Sequence, residues 1–190
     1  MTVLHYYRST PDASVSLLSS INEALAPFGG TLTSLSRETC FNVSVTAELT
    51  AEHQSRLKWL ISETFESDLT TPTTKLVTTP DTPVLEFGPR LTFCTAFSSN
   101  AVEICKQCGI DNIDRFERSD RYQLKSATAL SKEAIAAFSA LIHDRMTQMP
   151  YLTPIESFAT NNAPEQIEVI PIMTAGRPAL EKINNKMGLG

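Results

Sequence analysis

The sequence predicts an α+β fold: two pseudosymmetric β-α-β-α halves, antiparallel sheets packed with helices, and an irregular linker after them. Three observations carry this expectation. Segments whose apolar residues alternate with a period of two take turns with segments carrying an apolar stripe at helical spacing. Residues from 82 onward repeat the pattern of the first half at a separation of 81. The final stretch, 149–190, holds five prolines (150, 154, 164, 171 and 178) and little periodicity. The expected boundaries are a domain over 1–148, divided at about 80, and a hydrophilic linker over 149–190.

The elements follow in order. "VLHYYR" (3–8) reads as a strand, and 13–26 as a helix with Val15, Leu18, Ile21 and Leu25 on one face, closed by Pro27 and Gly29-Gly30. "TLTSLSRETCFNVSVTA" (31–47) is rich in β-branched residues and sets Phe41, Val43 and Val45 on one side of a strand. Thr50 is the expected N-cap of a second helix striped by Leu57, Leu60 and Ile61. Thr, Pro and Asp dominate 66–83, which reads as a loop with at most a short strand in "TKLV". A strand through "VLEFGPRLTFC", a helix at about 98–108, a strand at 113–126 and a helix at 132–147 complete the second half. The last stretch, "PALEKINNKMG", is expected to form a short helix.

The repeat is specific. Leu130-Ser131 falls on Leu49-Thr50, Leu141-Ile142 on Leu60-Ile61, Tyr122 and Leu124 on Phe41 and Val43, and Arg118 on Arg37. Each half alone leaves one apolar sheet face uncovered, and pairing the halves buries it.

Composition narrows the function. The chain has 190 residues, a net charge of −5 and 42% apolar residues, the balance of a globular protein without the basic stripe that nucleic acid requires. No apolar run approaches the roughly 20 residues of a spanning helix, so no membrane partner is expected and the location reads as cytosolic. Cys105-Lys-Gln-Cys108 lacks a second pair to complete a tetrahedral metal site; with Val102 the two cysteines share a helix face and read as core.

Three stretches are candidates for a site. Gly88-Pro89 interrupts an alternating strand and is expected to kink it, aiming Arg90; the competing reading is a surface arginine paired with Glu86. Ser98-Ser99-Asn100 opens a helix, where serine caps free N–H groups or an anion binds them. In "DRFERSDRYQLK" (114–125), Arg118 and Asp120 interrupt the apolar side carrying Phe116, Tyr122 and Leu124. Arg115, Glu117, Arg121 and Lys125 read most simply as a solvated face. An arginine-lined site and an ordinary strand exterior both fit.

"EFGPRLTFCTAFSSNAVEICKQCGIDNIDRFERSDRY" closely resembles the motif of the large single-chain phosphoribosylformylglycinamidine synthases, in which G-P-R-L-x-F precedes S-x-N and then D-R-x-E-x-x-R-Y. "RETCFNVSV", "HDRMTQMPYL" with "PIESF", and "AGRPALEKINNKMGLG" resemble the family's first strand repeat, helix exit and linker, in order. The resemblance covers essentially all 190 residues. It implies an N-terminal domain similar to a fused dimer of the small PurS subunit, placed ahead of a synthetase core and a glutaminase domain in one polypeptide. It implies ATP, Mg²⁺ and glutamine-derived ammonia for the whole enzyme, and none of these bound by this segment. The family's S-E-H-S-R-H segment and its glutaminase cysteine are not present, and His5, His53 and His143 stand apart from one another. The chain alone is therefore expected to be inactive, with Gly88, Pro89, Arg90, Ser98, Ser99, Asn100, Arg115, Arg118 and Arg121 as interdomain or ligand-proximal candidates. Two further readings stand: a non-catalytic relative resembling viral structural proteins, and a free-standing small-molecule-binding regulatory module.

Overall fold

The computed structural model describes residues 2–62, 67–79, 81–159 and 169–187. In chain order the elements are β1 (Thr2–Thr10), α1 (Val15–Leu25), β2 (Leu32–Val45), α2 (Ala51–Ile61), β3 (Thr70–Thr71), β4 (Val84–Pro89), α3 (Ala96–Gln107), β5 (Ile113–Ser126), α4 (Lys132–Ile142), β6 (Gln148–Tyr151) and α5 (Ile172–Met187). The chain divides into two compact units, residues 1–160 and 161–190.

All six strands lie in one antiparallel sheet, ordered β3-β1-β2-β5-β4-β6, where a sheet for each half was expected. The merger is made by β2 and β5, which zip together along almost their whole length. Their register joins like with like. On one face Leu35 opposes Leu124 and Val43 opposes Phe116; on the other, Glu38 opposes Arg121, Cys40 opposes Ser119 and Asn42 opposes Glu117. Such matching is what pins a register, because a slip of one residue would exchange the two faces completely.

The apolar face carries four helices and two buried clusters. Tyr6, Phe41, Val43 and Phe116 of the sheet pack with Leu57 and Ile61 of α2 and Cys105 of α3. Leu35, Phe87 and Leu124 pack with Ile21 and Leu25 of α1 and Phe138 of α4. Each cluster therefore draws one helix from residues 1–80 and one from residues 81–148. Side-chain oxygens cap all four helices: Ser14 for α1, Thr50 for α2, Thr95 for α3 and Ser131 for α4.

Several expectations shift. β4 ends at Pro89 and does not continue to Cys94: proline has no N–H for the ladder, the Arg90 N–H makes a last bond to the Thr147 carbonyl at 3.0 Å, and residues 91–95 form a turn and bend into α3. The helix expected at about 98–108 starts at Ala96, since Thr95 supplies its cap. "TKLV" is loop, and the short strand is Thr70–Thr71. Helix α4 stops at Ile142, not at 147. Gln148–Tyr151, which runs from the last residue of the expected domain into the expected linker over 149–190, pairs with β4 as an edge strand. Pro150 is tolerated at such an edge. The helix expected within "PALEKINNKMG" belongs to α5, which is broken at Gly176 with φ 58° and ψ −146°.

Candidate functional site

The polar face of the sheet is buried, which overturns the solvated-face reading of β5. Glu38, Asn42, Ser44, Glu117 and Ser119 are each no more than 3% exposed. Sequence periodicity shows these residues on one side but not what covers it. The cover comes from distant segments. Thr74 Oγ1 donates to Glu38, and the Lys75 N–H to its other oxygen at 3.2 Å. Gln123 Nε2 donates to the Val77 carbonyl at 2.8 Å, and the Phe158 ring lies 4.6 Å from the Arg115 guanidinium.

Arg121 sits at the centre of this face. It donates to Glu38 and to Thr74 Oγ1, lies 5.0 Å over the Tyr7 ring, and has Nε 3.1 Å from Glu86 Oε2, close enough to pair though not aligned for a hydrogen bond. Glu86 accepts from the Ser119 hydroxyl at 2.5 Å. Asn42 Nδ2 donates to Ser119 Oγ at 2.9 Å, and His5 Nδ1–H donates to Asn42 Oδ1 at 2.9 Å. Burial raises the Glu86 pKa, against the Ser119 hydrogen bond and the Arg121 charge. Burial also pushes the Cys40 thiol well up, with the Glu86 carboxylate adding to the effect, so this sulfur stays protonated and inert.

Glu117, which sequence reading placed in solvent, organises the start of α3. Its oxygens accept the Thr95 N–H at 3.1 Å and the Thr95 hydroxyl at 2.6 Å, while Arg115 Nε pairs with it at 3.1 Å. Arg115 also donates to the Leu91 carbonyl at 3.2 Å and to the Phe93 carbonyl, tying the turn before the helix to the sheet. This arrangement does not fit a phosphate. A carboxylate already stands at the helix entry, and the nearby guanidinium is engaged by it.

The remaining candidates separate into packing and surface. Ser98 is buried and does not cap: its hydroxyl accepts the Phe116 N–H at 2.9 Å, fastening α3 to β5. Ser99 and Asn100 are exposed. Gly88 lies against Tyr151, whose ring would stand only 2.5–2.6 Å from an added Cβ and whose hydroxyl donates to the Pro89 carbonyl at 2.6 Å. Glycine is required there for close approach. Arg90 does not pair with Glu86. It is exposed and donates to the Met146 and Arg145 carbonyls at 3.1 and 2.7 Å, holding the 143–147 turn.

Arg118 alone of the three β5 arginines faces outward on the helix side. Its guanidinium lies 5.7 Å over the Phe97 ring. It borders a cleft of about 280 Å³ between α2 and α3, walled by Phe41, Leu60, Phe97, Ile104 and Phe116, with Arg8 near its polar end. Among the described residues no group of three or more His, Cys, Asp or Glu is arranged to hold a metal ion. No helix among them is long and apolar enough to cross a membrane.

Comparison with known proteins supplies a family. The family described as formylglycinamide ribonucleotide amidotransferase N-terminal matches residues 38–158. A phosphoribosylformylglycinamidine synthase of Dictyostelium discoideum is 42% identical over 199 residues, covering 100% of this chain and 14% of its own length. A probable chloroplastic or mitochondrial phosphoribosylformylglycinamidine synthase of Arabidopsis thaliana is 39% identical, covering 98% of this chain and 14% of its own. The human phosphoribosylformylglycinamidine synthase is 39% identical over 80% of this chain and 12% of its own.

Proposed function

Since the chain belongs to the formylglycinamide ribonucleotide amidotransferase N-terminal family, we propose that it is the structural and interdomain N-terminal segment of a phosphoribosylformylglycinamidine synthase. In this reading the whole polypeptide is a ligase and glutamine amidotransferase of purine biosynthesis, converting formylglycinamide ribonucleotide to the amidine. ATP, Mg²⁺ and glutamine are handled by a synthetase core and a glutaminase domain, its partners in the same polypeptide, and the compartment is the cytosol. The observation that carries the proposal is coverage: the whole chain aligns with 14% of the Dictyostelium synthase.

The geometry agrees with a scaffold role. Arg115 and Arg121 are engaged by Glu117, Glu38 and Glu86 inside the domain, which leaves Arg90, Ser99, Asn100 and Arg118 as the surface members of the candidate set. Gly88, Pro89 and Ser98 position those neighbours through packing.

We further propose that residues 1–80 and 81–148 are related by a pseudo-two-fold axis through the β2–β5 pair. Element bounds support it: β2 and β5, α2 and α4, and the caps Ser14 and Thr95 are each 81 residues apart. The register supports it too, because Arg37 opposes Tyr122 while Phe41 opposes Arg118, the same pair with roles exchanged. The segment after 160 serves as linker.

The test is a reconstitution. The purified 190-residue chain should give no amidine from formylglycinamide ribonucleotide, ATP and glutamine, and the full gene product should give it. Turnover by the 190-residue chain, or none by an intact, folded gene product, would overturn the reading.

A further inference from the structure

The two helix pairs covering the sheet differ in a way the fold does not require. α1 packs directly on α4, sealing Ile21, Leu25 and Phe138 at 1% exposure or less. α2 and α3 stand further apart, and the cleft lies between them. On α3, Phe97, Ala101 and Ile104 follow the i, i+4, i+7 spacing of a single stripe. The α1 positions 81 residues earlier are Ser16, Ser20 and Glu23, all exposed polar residues as a solvent face demands. Phe97 and Ile104 nevertheless remain 40% and 52% exposed. Large apolar side chains rimming an apolar cleft in place of polar ones mark a surface that another chain segment covers.

We infer that the α2–α3 cleft receives an acidic, apolar-flanked segment of the remainder of the same polypeptide, seated on Phe97 and Ile104 with its carboxylate at Arg118. The inference rests on the reading under Proposed function. Three observations select this occupant. A cleft of about 280 Å³ falls just below the roughly 300–1,000 Å³ that small-molecule sites occupy, so it suits a few anchoring side chains. Arg118 projects at its rim over Phe97, and among the described residues no carboxylate pairs with it. Finally, the chain amounts to 14% of the length of the Dictyostelium relative. In such a polypeptide the rest of the molecule is tethered nearby at high effective concentration.

Hydrogen exchange provides the test, comparing α2 and α3 amides in the full gene product with those in the 190-residue chain. Docking should slow α3 exchange in the full gene product by about tenfold or more. Ile104→Glu and Arg118→Glu should return those amides to the rate seen in the 190-residue chain. As exposed positions, both should leave the melting temperature of that chain within about 2 °C. If Ile104→Glu lowers it further, Phe97→Ser, which installs the α1 residue, takes its place. Equal exchange rates with and without the remainder of the polypeptide would overturn the proposal. So would sedimentation showing that the 190-residue chain dimerises through this cleft, which would make a second copy the occupant. Amidine synthesis, measured on the same preparation, separates the outcomes: an active enzyme with an unprotected cleft sinks only the docking site, and an inactive one sinks the functional reading as well.

Discussion

Glu86 shows how a residue in the buried face responds to its setting. Burial raises its pKa, and neither the Ser119 hydrogen bond nor the Arg121 charge reverses that. A carboxyl whose pKa is higher folded than unfolded holds its proton more tightly in the native state. Its stabilising contribution is complete below the unfolded value of about 4.3 and is lost as pH rises through the raised native value. Glu86→Gln fixes the neutral form. The stability of the natural chain relative to this variant should therefore be greatest in acid and decline across that window, read by denaturant unfolding at a series of pH values. A difference that grows with pH would instead assign the dominant effect to the Arg121 pair. Sequence alone placed Glu86 four residues before Arg90 on the same strand face and suggested a partner there; the partner is Arg121, directly across the strand pair.

At the scale of elements, what was legible is what repeats locally. The periods of α2 and β5 and the Thr50 cap stand where the sequence puts them, because each depends on residues within a turn or a strand of one another. The start of α3 was read two residues late, since Thr95 is chosen as cap by a carboxylate 22 residues away on β5. β6 was missed because only its pairing with β4 makes a strand of "QMPY". The burial of Glu38 and Glu117 was equally invisible, for the Thr74 loop and Phe158 lie far off in sequence. The two kinds of cap make a prediction. Thr95→Ala removes both a cap and a donor to a buried carboxylate, so it should cost about 2–3 kcal/mol. Ser131→Ala removes a cap and a donor to the Phe28 carbonyl at 3.3 Å, an exposed bond that water can replace, and should cost about 1 kcal/mol. Equal losses in thermal or denaturant melts would show that Glu117 finds full compensation from Arg115.

For the whole molecule, neither apolar cluster belongs to one half. Residues 1–80 contain α1 and α2 but lack α4 and α3, their partners over the sheet, and lack β5, the neighbour of β2. A fragment of residues 1–80 is therefore expected to show no cooperative, concentration-independent unfolding, while residues 1–160 melt as a unit. Calorimetry of the two fragments at several concentrations decides it, and a sharp transition in the shorter one at every concentration would remove the shared core from the account of stability.

The central strand pair also sets a clock for the nascent protein. β5 begins 81 residues after β2. At about 5–20 residues per second, β2 therefore waits roughly 4–16 s on the ribosome before its partner exists. Over that interval one long edge of β2 offers unpaired backbone to any neighbouring chain. Charged side chains on an edge discourage such pairing, and Arg37-Glu38 stands in the middle of this one. The carboxylate that holds Arg121 in the finished sheet is thus already at work before Arg121 is made, keeping newly synthesised copies apart.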